Sequence, residues 1–132
     1  MTGLDTNVLV RYLTQDDPRQ SRLANALVAE AVSSGERLFV GAVVLCELVW
    51  VLRGAYAFDK ATIASALERI LGTAQLEIDQ KDVVREALAD YRAGSGDFAD
   101  YVIGRRAREA GGELTATFDR RLKSSDLFRV LR

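Results

Sequence analysis

Residues 38–52 read LFVGAVVLCELVWVL. Leu38–Val40 has the length and side chains of a short buried strand, and Gly41 closes it. The run from Ala42 to Arg53 is too long for an ordinary strand and reads as a buried helix. A strand passing directly into an apolar helix is the repeating unit of an α/β fold. Glu47 is the only charged residue in the stretch, and no Lys or Arg lies within one helical turn of it. A carboxylate on a core-forming segment is costly unless it is paired, protonated or bound to a cation. Glu47 therefore marks a place to look for a site.

The same alternation extends in both directions. A very short strand ends near Leu4, and a short helix covers about Val8 to Leu13. Asp17-Pro18 with Gln20 gives an N-cap, a first-turn proline and a capping partner for a helix to about Ser33. Asp59 caps a helix to Leu71, and Leu76–Ile78 is a strand. Residues 81–93 form an amphipathic helix with Val83, Val84, Ala87, Leu88 and Tyr91 inward. Asp97–Ala110 is a helix closed by Gly111-Gly112. Leu114–Phe118 and Phe128–Leu131 are the last strands. The fold class is α/β, helix-rich, with a short, mostly parallel sheet between helical layers. Long helical insertions are expected mainly between the second and third strands. At 132 residues the chain suits one domain spanning 1–132.

Composition excludes several chemistries. There is no His, so there is no Ser-His-Asp triad, Cys-His pair or His-ligated zinc. The one cysteine, Cys46, can form no internal disulfide and reads as a buried thiol. Any metal must be a hard cation held by oxygen, with Mg2+ or Mn2+ foremost. No signal peptide or membrane span is visible, so a cytoplasmic protein is expected. Net charge is −1, yet residues 105–132 carry 8 basic and 4 acidic residues. Arg105, Arg106, Arg108, Arg120, Arg121 and Lys123 make that segment either a phosphate-contacting surface or a solvated helix face.

In a parallel α/β sheet, sites lie beyond the carboxyl ends of the strands. Asp5 follows the first strand and Asp119 follows the strand at Leu114–Phe118. Asp97 and Asp100 stand in the first turn of one helix, and Glu47 stands early in another. Topology directs all five acids to one side of the sheet, and Gly104 keeps the face of Asp97 and Asp100 open. Thr6, Asn7 and Thr117 flank this place and can orient carboxylates or waters. Each acid also has a plain structural role: Asp5, Asp97 and Asp119 as caps, Asp100 as a charge complementing a helix dipole. Gathered together they would repel one another without a divalent cation. Such a centre activates water and stabilises charge on a phosphoryl group, as in phosphodiester hydrolysis.

The segments LDTNVLVRYL, CELVWVL, DFADYVIGRRAREAGG and TFDRRL, in this order, resemble PIN-domain ribonucleases, and most closely the VapC-type toxins of bacterial toxin–antitoxin pairs. The resemblance implies a three-layer α/β/α nuclease cleaving RNA with Mg2+ or Mn2+. It implies a homodimer inhibited by a small cognate, VapB-like antitoxin. Asp5, Glu47 and Asp100 match the core acids, and Asp119 the more variable fourth position. Asp5, Asp100 and Asp119 are then the metal ligands, Glu47 a water-mediated ligand or base, and Asp97 an accessory acid. Two alternatives are a receiver-like phosphoryl-transfer domain and a non-catalytic interaction domain. The first would want an Asp-x-Asp pair, where this chain has Asp5-Thr6-Asn7.

Overall fold

Two helices follow each of the first three strands in the computed structural model, which describes residues Met1–Arg132. The order is β1 (Thr2–Gly3), α1 (Thr6–Thr14), α2 (Pro18–Ser34), β2 (Leu38–Val40), α3 (Ala42–Gly54), α4 (Lys60–Leu71) and β3 (Leu76–Ile78). Then come α5 (Lys81–Ala93), α6 (Phe98–Glu109), β4 (Thr115–Thr117), a single 3-10 turn (Arg120–Leu122) and β5 (Phe128–Val130). The helices thus follow β1, β2 and β3 in pairs and are not concentrated between β2 and β3. All strand pairings are parallel, and the strands form two sheets, β1-β2-β3 and β4-β5. The chain divides into two compact units, Met1–Gln80 and Lys81–Arg132. No helix is long and apolar enough to cross a membrane.

In the first unit, Leu38 and Val40 of β2, Leu76 and Ile78 of β3 and Leu45, Leu48, Val49 and Leu52 of α3 are buried. The α3 helix is not buried all round. Val43, Glu47 and Trp50 share its exposed face, and Cys46 is half-buried. The run looked uniformly apolar because one flank of the exposed face is itself apolar. Glu47 therefore keeps its hydration and incurs no burial cost, contrary to the sequence argument.

Asp17 caps α2 by accepting from Gln20 N at 2.9 Å. Gln20 does not return the bond; its Oε1 accepts from Arg11 Nε at 2.7 Å. Arg11 also donates to Tyr56 Oη at 2.9 Å, and Tyr56 Oη donates to Asp16 at 2.6 Å. This polar knot fastens α1 to the start of α2 and to the segment after α3.

In the second unit, α5 buries Val83, Val84, Ala87, Leu88 and Tyr91, as its periodicity requires. It packs on α6, where Phe98 is fully buried and meets Tyr91 edge-on at 6.0 Å. Arg105 of α6 clamps Asp90 of α5 with bonds of 2.7 and 2.8 Å. Gly104 does not keep a face open. A Cβ there would lie 2.9 Å from Phe128 Cζ and 3.2 Å from Leu127 Cβ, so this glycine admits the strand β5 against α6.

Candidate active site

The first unit joins Asp5 and Glu47 through one residue, Thr6. The chain leaves β1, and Asp5, in extended conformation, caps α1 by accepting from Thr6 N at 2.8 Å. Thr6 is buried at 7% exposure, and its Oγ1 donates to Glu47 Oε1 at 2.7 Å across forty-one residues. Packing of α1 on α3 sets that reach. Asp5 and Glu47 are otherwise exposed, as an acidic pair open to solvent must be. Asn7 is exposed and lines a groove of about 310 Å³ with Val8, Arg11, Gln20, Leu23, Ala24 and Leu27.

Asp79 was passed over in the sequence. It directly follows β3, and its N–H donates to Val40 O at 2.9 Å. The strand registers, Gly3 with Phe39 and Val40 with Ile78, put Asp79 level with Asp5 at the carboxyl edge of this sheet. The signal was available: a short apolar strand followed at once by an acid, the pattern that picked out Asp119.

The second unit holds the other three acids. Asp97 caps α6 and accepts from Phe98 N at 2.8 Å, while Asp100 Oδ2 accepts from Asp97 N at 2.8 Å, completing a capping box. Asp119 caps the 3-10 turn after β4, accepting from Arg121 N at 2.9 Å. Thr117 Oγ1 accepts from Asp119 N at 3.1 Å, so this threonine fixes the turn that presents the acid.

Arg121 is the residue whose role the sequence did not reveal. Its Nε lies 3.1 Å from both Asp119 oxygens, its NH2 lies 2.7 Å from Oδ2, and the same NH2 is 3.9 Å from Asp100 Oδ2. The hydrogen bonds from Arg121 hold the Asp119 carboxyl below its usual range. The guanidinium is raised in turn, first by Asp119, with Asp100 and Asp97 adding to it. The 3-10 turn makes this contact: two residues on, a side chain can fold back over its own cap.

Every acid singled out in the sequence except Glu47 thus serves as a backbone cap. Neither unit brings three acidic side chains to a single point. Each instead gathers two acids about one residue: Thr6 donates to Asp5 and Glu47, and Arg121 donates to Asp119 and stands 3.9 Å from Asp100 as an ion pair.

Asp5 after β1 and Asp119 after β4 each cap the helical turn that follows. The PIN domain family model matches residues 4–126, which includes all of these positions. The chain is also similar to a VapC ribonuclease of Aquifex aeolicus (strain VF5), with 30% identity over 123 residues, covering 93% of this chain and 90% of that protein. The chain belongs to the PIN-domain family, among its VapC-type ribonucleases. The receiver-like and non-catalytic readings are left without support.

Proposed function

We propose that this chain is a divalent-metal-dependent endoribonuclease, the toxin of a toxin–antitoxin pair. One observation carries the reading: acids distant in sequence are tied in pairs, Asp5 with Glu47 through Thr6 and Asp119 with Asp100 through Arg121. The family match runs through both units, which supports a single nuclease domain over 1–132.

The donor chemistry fits Mg2+ or Mn2+. It is all oxygen, in a chain without His. Arg121 behaves as a stand-in cation, one positive group serving Asp119 and Asp100 at once. Asp5, Asp100 and Asp119 are the ligands in this reading. A divalent ion held by these acids would supply Lewis acidity toward a phosphoryl oxygen and acidify a nearby water. Glu47, oriented by Thr6, aligns the attacking water and accepts its proton. Asp97 keeps the first turn of α6 in shape for Asp100, and Thr117 does the same for Asp119. Asn7, exposed beside Thr6, is left to meet substrate.

An RNA substrate is supported by a cavity of about 540 Å³ lined by Arg120, Lys123, Val130 and Arg132. Three cations without a carboxylate among them suit successive phosphates. Family membership supports a small cognate antitoxin, a homodimer and a cytoplasmic place of action.

The test is incubation of the purified chain with total RNA, with Mg2+ or Mn2+ and with EDTA, followed by mapping of the new ends. Cleavage only with the metal is expected. Undiminished cleavage in EDTA, or none under any condition, would contradict the reading.

A further inference from the structure

We propose that Arg121 is a built-in competitor for the divalent cation, neutralising Asp119 and Asp100 until the metal displaces it. The inference rests on the metal-dependent reading above. Its grounds are geometric. Arg121 makes a two-pronged contact with both oxygens of Asp119, at 2.7 and 3.1 Å, and its NH2 approaches Asp100 Oδ2 at 3.9 Å. A metal bound by those same oxygens needs the lone pairs that the guanidinium now occupies.

Arg121 is able to leave. Its side chain is 60% exposed, against 28% for Asp119 and 26% for Asp100. The cation is exposed, while the acids have holds of their own: the Asp119 carboxyl accepts from Arg121 N and its N–H donates to Thr117 Oγ1, and Asp100 accepts from Asp97 N. Withdrawal of the guanidinium thus leaves both carboxylates where they stand. An exposed ion pair is weak enough for a divalent ion to replace. Arg121 is a positioning residue in this account, acting on substrate only through the acids it holds.

Two variants test it by calorimetry with Mn2+ alone. Arg121→Gln removes the charge and leaves a shorter polar side chain; Arg121→Lys keeps the charge and removes the fork. Arg121→Gln is expected to bind Mn2+ about threefold or more tightly than wild type, with Arg121→Lys between them. The melting temperature of Arg121→Gln should fall in EDTA and recover with Mn2+, giving a larger metal-induced shift than wild type. A merely structural Arg121 would instead lower affinity and melting temperature under both conditions. Mn2+ binding by wild type with equal or weaker binding by Arg121→Gln would overturn this inference alone. No Mn2+ binding by wild type would overturn the metal-dependent reading as well.

Discussion

Thr6 Oγ1 donates to Glu47 Oε1 at 2.7 Å, so a buried hydroxyl in the first turn of α1 sets the direction of a carboxylate on α3. The acid beside Thr6 in sequence, Asp5, is fixed by the backbone N–H of the same residue. One threonine therefore couples Asp5 with Glu47. Thr6→Val removes the hydroxyl at nearly constant volume and Thr6→Ser keeps it. We expect Thr6→Val to lower the RNA cleavage rate about tenfold, from a lost hydrogen bond to a charged group. Thr6→Ser should stay within about twofold. Equal rates for the two variants would refute the coupling.

Caps and catalytic acids are separable by isosteric change. Asn caps a helix about as well as Asp, whereas Ala costs about 1 kcal/mol. Asp5→Asn and Asp100→Asn should therefore melt near wild type in EDTA yet lose cleavage by about a hundredfold or more. Asp5→Ala should lose both activity and stability. An active Asp5→Asn or Asp100→Asn would reduce that residue to a cap.

The low carboxyl pKa of Asp119 gives a pH signature. Its folded value lies below the unfolded value, so the stabilisation is present above the unfolded pKa and is lost as pH falls through the folded one. Asp119→Asn keeps the cap and removes the charge. Wild type should melt slightly higher than Asp119→Asn at neutral pH, and the gap should close below about pH 4. A gap that widens toward low pH would contradict the Arg121 contact.

The cations of the second unit should act on binding and not on chemistry. Arg120 and Lys123 line the basic cavity, so each is replaced by Ala. Each is expected to weaken RNA binding and to flatten the salt dependence by about 0.7 in slope per lost phosphate contact. Cleavage of saturating RNA should persist. A normal salt dependence in the double variant would remove this cavity from the substrate path.

Gly104 tests the packing of α6 on β5. Adding a methyl 2.9 Å from the Phe128 ring should destabilise by about 1–3 kcal/mol in urea unfolding. Gly3, with nothing within 4 Å of a built Cβ, should accept Ala far more easily. Equal costs at the two sites would contradict the packing.

Much of the fold was legible because its signals are local. Caps at Asp17, Asp59 and Asp97 and the 3.6-residue period of α5 act within one or two turns of chain. Tertiary contacts decided what was missed. Gly104 could not be recognised as a close-packing site without Phe128, which lies twenty-four residues on. The exposure of Glu47 was hidden because α3 leaves Val43 and Trp50 on its outer face, so its composition reads as fully interior. Among site residues, the strand-following acids were visible, whereas Arg121 was only one of several late cations. Its grip on Asp119 depends on a 3-10 turn that composition does not reveal.

The central claim is that Asp5 and Asp100 each take part in binding a divalent cation. Mn2+ titration of wild type, Asp5→Asn and Asp100→Asn by calorimetry addresses it most directly. The account predicts measurable binding by wild type and a loss of about tenfold or more in each variant. Wild-type affinity in both variants, or no Mn2+ binding by wild type, would contradict it.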